Sequence, residues 1–227
     1  MTASLYGADY SQNARRLGMA SAVVVVLLSV AYAITLVAGL LSLGSPREPV
    51  ADPYFSILEL LIIVLAPLMV VVTAVVHAWA TPGQKIFSLL ALVFMSLLAG
   101  LTCSVHFAIL TVSRQIAPAS PQWLLSFRWP SVAYAIDILA WDLFFGLSAL
   151  FAAPLFKGDR LRTAIRILLT ASGTLAIAGM SGVPGGDMQV RMIGVVGYAV
   201  VYPVAVALLG ILFYRSPAAP GGVAQGG

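Results

Sequence analysis

The sequence predicts an all-α membrane protein, a six-transmembrane-helix bundle, and three observations lead to this fold class. Of the 227 residues, 61% are hydrophobic and 9% are charged, whereas soluble domains carry about 25% charged residues. The mean hydropathy is +1.02, which is more apolar surface than a soluble fold of this length could bury. Six apolar segments are each long enough to cross a hydrocarbon core of about 30 Å, and polar turns separate them.

The predicted helices cover residues 17–44, 54–79, 84–112, 130–156, 162–182 and 188–214. Arg15 and Arg16 precede the first apolar run, as they would in a signal peptide. That run is too long for the apolar region of a signal peptide, so we expect a retained transmembrane helix. The stretches SPREPVADP at 45–53 and TPG at 81–83 are predicted turns on either side of the second helix.

The second half of the chain has equally clear boundaries. The longest loop, APASPQWLLSFRWP at 117–130, places Trp123 and Trp129 at the membrane interface, where tryptophan is enriched. KGDR at 157–160 is a tight charged turn before the fifth helix. Asp187, at the end of GVPGGD, is a suitable N-cap for the sixth helix.

The predicted organisation is one transmembrane domain over residues 1–216, followed by a disordered tail, rich in proline and glycine, over 217–227. With six spans, both termini lie on the same side of the membrane. That side carries eight of the twelve lysines and arginines, namely Arg15, Arg16, Lys85, Lys157, Arg160, Arg162, Arg166 and Arg215. By the positive-inside rule we expect an N-in/C-in protein of a bacterial-type cytoplasmic (inner) membrane.

Charge and cysteine content restrict the partners. The net charge of +4 does not indicate a nucleic-acid partner, because no basic face exists outside the short loops, where basic residues set membrane topology. Membrane lipid is therefore the expected partner. Cys103 is the single cysteine, so no intrachain disulfide forms. The sequence makes no prediction of an oligomeric state.

Five charged or histidine side chains fall well inside the predicted spans, Glu59, His106, Asp137, Asp142 and Arg191, whereas His77 and Arg166 lie near helix ends. A charged side chain near the membrane centre costs about 2.5–3.5 kcal/mol on insertion scales, so such residues usually face the bundle interior and find partners. At about 1.5 Å per residue, four of the five lie roughly 6–10 Å from the same membrane surface. The sequence therefore predicts that four helices bring ionisable groups together in the half of the bundle away from the termini.

Helical geometry separates the two aspartates of the fourth helix. Asp137 and Trp141 are spaced i,i+4 and share a face, whereas five residues turn a regular α-helix by about 140° between Asp137 and Asp142. We therefore predict that the two carboxylates point in different directions. Asp142 lies ~18 Å along its helix, and Tyr198 is expected at the same depth as its neighbour.

These residues leave three functional hypotheses open. In the first, the polar group is a site for small-solute or proton-linked transport, or for binding a small-molecule ligand, in which the acids and the histidine exchange protons. In the second, the protein is a non-catalytic scaffold or accessory subunit whose polar cluster only holds helices together. In the third, His106 and the nearby carboxylates bind zinc or manganese in an intramembrane enzyme for a lipid-like substrate.

The motifs of common catalytic sites do not occur. The chain has two histidines, and it contains no HExxH, no G-x-S-x-G, no P-loop and no GxGxxG. We therefore predict no catalytic residue, no metal and no cofactor, and we favour a role other than enzymatic. No motif in the sequence identifies a protein family.

Overall fold

The computed structural model describes residues 7, 9–45, 48, 50–115 and 122–217, without the side chains of 113–115 and 122. Helices make up 84% of the structure, and the described ranges contain no strand. Six helices are long and apolar enough to cross a membrane, which confirms the predicted all-α, six-helix architecture. They are α1 Gln12–Leu41, α2 Tyr54–Trp79, α3 Lys85–Gln115, α4 Val132–Leu155, α5 Arg160–Gly182 and α6 Met188–Arg215.

Capping side chains decide where several helices begin. α1 begins at Gln12 rather than at residue 17, because the Ser11 side chain accepts a hydrogen bond from a backbone N–H of the first turn. Ser131 caps α4 in the same way, so this helix begins at Val132 rather than at residue 130. Asp187 accepts from a backbone N–H of α6 and is the N-cap that the sequence predicts.

The first and last helices meet at one end of the bundle, which we call the terminal end. The Tyr10 hydroxyl donates to Phe213 O at 3.2 Å, and the Arg15 guanidinium donates to Phe213 O and Tyr214 O at 3.2 and 2.6 Å. We call the opposite end, where α2, α4 and α6 begin, the distal end. The side of the membrane that each end faces stays a prediction. Residues 218–227 of the predicted tail lie outside the described residues.

The helices differ in how much of their surface the bundle covers. In the most apolar 18-residue stretch of each helix, 61% of the residues are buried in α4 and 11% in α1. α1 packs at the edge against α2 and α6 and leaves most of its apolar side chains exposed, as expected of a helix that faces lipid. α4 is therefore the most enclosed of the six helices, and the bundle buries its polar residues Asp137, Asp142 and Ser148.

Small residues bring α5 close to both of its neighbours. A Cβ added at Gly173 on α5 would lie 2.7 Å from the carbonyl oxygen of Gly146 on α4. A Cβ added at Gly197 on α6 would lie 2.7 Å from Ser172 O on α5, and the Ser172 hydroxyl donates to Gly197 O at 2.8 Å. This close approach is typical of helix contacts in membranes, where van der Waals packing and interhelical hydrogen bonds replace the hydrophobic effect.

Two of the membrane helices contain a π-helical turn. The turn in α4 covers Leu139–Phe144, and the turn in α6 covers Gly197–Val201. In such a turn the backbone N–H bonds to the carbonyl five residues back, and single π turns occur frequently at functional sites. The turn in α4 starts two residues after Asp137 and includes Asp142, so it sets their relative direction.

We predict that alanine at either close contact destabilises the bundle. In Gly173→Ala or Gly197→Ala the new methyl group meets a backbone oxygen, and overpacking of this kind costs about 1–3 kcal/mol. Thermal unfolding in detergent should show a lower midpoint for both variants. Gly100→Ala is the matched control, because nothing lies within 4 Å of its Cβ; its midpoint should stay unchanged or rise. Equal midpoints for all three variants would contradict this account of the helix contacts.

Candidate functional site

The five ionisable residues predicted to lie well inside the spans come together in one group. We call it the five-residue cluster: Glu59 on α2, His106 on α3, Asp137 and Asp142 on α4, and Arg191 on α6. Each keeps 6% or less of its surface exposed. The bundle therefore joins four helices through side chains that are almost completely enclosed. Membrane proteins enclose charges in this way because hydrocarbon offers them no partners.

Arg191 is the centre of the five-residue cluster. Its Nη2 donates to Asp137 Oδ2 at 3.1 Å and its Nε donates to Asp142 Oδ2 at 3.0 Å. Its Nη1 donates to Tyr134 Oη at 2.8 Å, and its guanidinium carbon lies 4.7 Å from the centre of the Tyr134 ring. One planar guanidinium thus uses all three of its nitrogens, which is the geometry for which arginine is suited.

His106 connects the two remaining helices to this centre. Its Nδ1 lies 2.8 Å from Glu59 Oε2, and its Nε2 lies 3.3 Å from Asp137 Oδ1. A neutral imidazole has one N–H donor, whereas both ring nitrogens here face a carboxyl oxygen. Both contacts are hydrogen bonds only when the ring carries a second proton or one of the two carboxyl groups is protonated.

The prediction that Asp137 and Asp142 point in different directions is wrong. Both carboxylates bind Arg191, because the π turn at Leu139–Phe144 lies between them. The prediction assumed 100° per residue, whereas a π turn brings residues five apart to nearly the same side of the helix. The partner of Asp142 is therefore Arg191, and Tyr198 does not take that role.

Trp141 and Tyr198 lie beside the five-residue cluster as aromatic packing. Their ring centres are 5.1 Å apart, and Tyr198 also packs edge-on against Phe145 at 6.0 Å. Neither makes a hydrogen bond to the five-residue cluster within the described part of the chain.

Sequence reasoning missed two aromatic residues at the site. Tyr134 precedes Asp137 by one helical turn and so shares its face. This spacing would have been enough to predict Tyr134 as a residue of the site. Phe127 belongs to the segment before α4, and its ring lies 5.4 Å from His106 and 5.1 Å from Tyr134. Because Phe127 precedes the helix, no helical periodicity indicates its position.

Two buried side-chain oxygens on α3 and α4 have no hydrogen-bond partner in the described part of the chain. One is Asp142 Oδ1 and the other is Thr102 Oγ1. Gly194 makes room for the carboxyl oxygen, since a Cβ at this position would lie 2.7 Å from Asp142 Oδ1. Asp142 therefore has one oxygen bound to Arg191 and one that remains available to a proton or to a small ligand.

The geometry does not favour a metal centre at the five-residue cluster. Among the described residues no group of three or more histidine, cysteine, aspartate or glutamate side chains is arranged to hold a metal ion. The reason is visible at His106, whose two ring nitrogens each face a carboxyl oxygen. A metal ligand needs a free nitrogen lone pair directed at the ion.

The five-residue cluster carries unequal charge. Three carboxyl groups face one guanidinium and one imidazole, so even a protonated His106 leaves one carboxylate without a compensating cation. Burying an uncompensated charge is costly, and a group in that position neutralises instead. With all three carboxyl groups ionised and His106 protonated, the five-residue cluster carries one net negative charge. One further proton, bound to a carboxyl group, makes the cluster neutral.

We predict that Arg191 and Asp142 are energetically coupled. Arg191→Gln leaves two buried carboxylates without their cation, and breaking a buried pair costs about 3–5 kcal/mol. In Asp142→Asn with Arg191→Gln the combined loss of unfolding free energy, measured in mixed micelles, should be at least about 1 kcal/mol smaller than the sum of the single losses.

The exposed pair Lys85–Asp9, at 3.0 Å, is the control for this cycle. Lys85→Gln with Asp9→Asn should show a coupling of about 1 kcal/mol or less, because solvent screens the two charges. Additive losses in the Arg191–Asp142 cycle would show that the two side chains do not interact.

Comparison with known proteins gives no match: no protein-family model, no curated protein and no solved structure matches the chain. The fold class is therefore established by the six apolar helices themselves. The chemistry of the five-residue cluster is the basis on which a function can be proposed.

Proposed function

We propose that this integral membrane protein binds and releases a proton at the five-residue cluster and couples that exchange to the transport of a small solute. The observation that carries the proposal is the unequal charge of the cluster, three carboxyl groups against two cationic groups. A site of this composition changes its charge by taking up one proton, and buried acids and histidines in membrane proteins commonly serve proton transfer.

His106 suits this role because of its two contacts. It joins Glu59 to Asp137 through its two ring nitrogens, at 2.8 and 3.3 Å. A proton that arrives at one carboxyl group can therefore pass through the imidazole to the other, since the ring accepts at one nitrogen while it donates at the other. Arg191 keeps a fixed positive charge beside both aspartates.

The orientation of the site is part of the proposal. The positive-inside rule places the terminal end in the cytoplasm of a bacterial-type cell, so the five-residue cluster lies in the outer half of the membrane. Its side chains are closed to solvent in the described arrangement. Release of the proton or entry of a solute then requires the distal ends of α2, α3, α4 and α6 to separate.

A scaffold role is the second candidate, and the closed arrangement favours it. Every member of the five-residue cluster has a partner within it, and the cavity and groove resolved in the bundle are lined by other residues. Such a network holds four helices together without any exchange of protons. The two candidates differ in one measurable property, which is whether the carboxyl groups titrate.

Infrared difference spectra of the protein in bilayers test this. Between about pH 5 and pH 8, where histidine-linked sites change charge, the carbonyl band of protonated buried carboxyl groups should change in intensity. Asp142→Asn should remove or shift that change, because one Asp142 oxygen is free to carry the proton. Asp9→Asn, at an exposed carboxyl group, should leave the buried band unaltered.

A spectrum without any pH response in this range would overturn the proposal. If the Arg191–Asp142 coupling persisted in that case, the scaffold role would be the one supported. A response that survives Asp142→Asn but disappears in Glu59→Gln would retain proton binding and move the proton from Asp142 to the Glu59–His106 contact.

A further inference from the structure

An apolar groove lies between α1 and α6 on the outer surface of the bundle. Its volume is about 410 Å³, which is within the range of about 300–1,000 Å³ typical of ligand sites. Its walls include Met19, Val23 and Leu27 on α1 and Ala207 and Tyr214 on α6. None of the described residues that line it is charged, so the groove suits a hydrocarbon chain.

Small residues form the floor of this groove. Ala22 on α1 is 1% exposed, and a Cβ added at Gly210 on α6 would lie 3.3 Å from Ala22 Cβ. The larger side chains of Val23 and Tyr214 are 58% and 67% exposed and form the rims. The groove therefore follows from a close contact of small residues between larger ones, and its outer side is open.

The groove has the depth of one membrane leaflet. It extends from Met19 to Leu27 on α1 and from Ala207 to Tyr214 on α6, which is about 12 Å and about 10 Å along the two helices. Half of a bilayer contributes about 15 Å of hydrocarbon. A membrane helix of a second copy would cross both leaflets, whereas this groove ends at Leu27. Its length therefore matches a lipid acyl chain better than a helix.

Positive charge surrounds the groove where it reaches the terminal end of the bundle. The Arg15 guanidinium donates to two carbonyl oxygens at the end of α6, and its carbon lies 5.9 Å from the centre of the Tyr214 ring. Arg16 precedes Met19 by three residues and so lies on the same face of α1. Arg215 follows Tyr214 directly, and both Arg16 and Arg215 are exposed.

No acidic residue compensates this charge locally. Between Asp9 and Glu48, and again after Asp187, the sequence contains neither aspartate nor glutamate. Asp9, the acid nearest to α1 in the sequence, forms an ion pair with Lys85 on α3 at 3.0 Å. A phosphate group at this end of the groove would therefore meet arginines and no carboxylate, which favours an anionic headgroup.

We propose that the groove between α1 and α6 binds an acyl chain of an anionic phospholipid whose headgroup contacts Arg16 and Arg215. The guanidinium groups bind the phosphate oxygens through paired N–H donors, while the chain covers the apolar walls. The bound lipid links α1, the least enclosed of the six helices, to α6, which carries Arg191. This proposal does not depend on proton binding at the five-residue cluster.

Native mass spectrometry of the detergent-solubilised protein tests the need for charge. Phosphatidylglycerol and phosphatidylcholine with identical acyl chains are titrated separately, and bound lipid is counted from the added mass. We expect phosphatidylglycerol to bind at least about fivefold more tightly, the effect of one basic residue at an anionic surface. Arg16→Gln with Arg215→Gln should remove this preference and leave the affinity for phosphatidylcholine unchanged.

The matched control removes the same charge elsewhere. Arg160 and Arg166 are exposed arginines on α5, a helix that contributes no residue to the groove. Arg160→Gln with Arg166→Gln should keep the preference for phosphatidylglycerol. If this pair removed the preference as fully as Arg16→Gln with Arg215→Gln, net charge alone would account for binding and the proposed headgroup contact would be wrong.

A second pair of variants tests the groove itself. Ala207 is an exposed groove residue, so Ala207→Trp fills the groove without entering the core and should weaken the binding of both lipids. Ala33 is exposed on α1 beyond the groove, and Ala33→Trp should bind both lipids as the unaltered protein does. Equal midpoints of thermal unfolding in lipid-free detergent would show that both variants fold.

Three results would overturn the proposal. The first is equal affinity of the two lipids for the unaltered protein, and the second is phosphatidylglycerol binding that is unchanged in Ala207→Trp. The third is a dimer that disappears in Ala207→Trp while neither lipid binds, which would assign the groove to a second copy of the chain. The infrared pH response of the five-residue cluster is independent of all three, so the two proposals can fail separately.

Discussion

The contact of one guanidinium with two aspartates is the interaction on which the rest of the site depends. Arg191 binds Asp137 and Asp142 at 3.1 and 3.0 Å and so joins α6 to α4, the most enclosed helix. His106 extends the same network to α2 and α3 through Glu59. Without the arginine, three buried carboxyl groups would face a single imidazole, and a hydrocarbon environment offers no solvent to compensate them.

The π turn in α4 makes this contact geometrically available. Without it, Asp142 would lie about 140° round the helix from Asp137, and one guanidinium could not reach both. The same turn places Asp142 Oδ1 against Gly194, where any side chain would collide with it. An irregular backbone, a missing Cβ and a carboxyl oxygen without a partner among the described residues thus occur together at Asp142. Single π turns are frequent at functional sites.

Much of the fold and part of the site follow from the sequence. The length and apolarity of the segments are sufficient to predict the six helices. The depth of each residue, counted from the end of its helix, is sufficient to predict that Glu59, His106, Asp137 and Arg191 lie close together. The predicted direction of the Asp142 side chain is wrong, because a π turn leaves no signature in the periodicity of hydrophobic residues. Capping is a second local effect that the apolar pattern does not show, and for that reason α1 begins earlier than predicted.

The cavity lined by Thr73, Ser148 and Tyr202 could not be predicted from the sequence for a different reason. Serine and threonine in membrane helices usually bond to their own backbone, as Thr73 does, so their type alone does not indicate a site. The packing of three helices places Thr73, Ser148 and Tyr202 round one cavity. Contacts of that kind depend on helix rotation and packing, and no single segment of the sequence contains them.

The central claim is that both aspartates bind the same guanidinium, and solid-state NMR of the protein in bilayers measures this directly. With ¹⁵N in the Arg191 side chain and ¹³C in the aspartate carboxyl groups, dipolar dephasing reports each nitrogen–carbon distance. The account predicts that Asp137 and Asp142 both show a distance of about 4 Å, the range of a direct ion pair. A short distance to Asp137 alone, with Asp142 beyond contact, would contradict it.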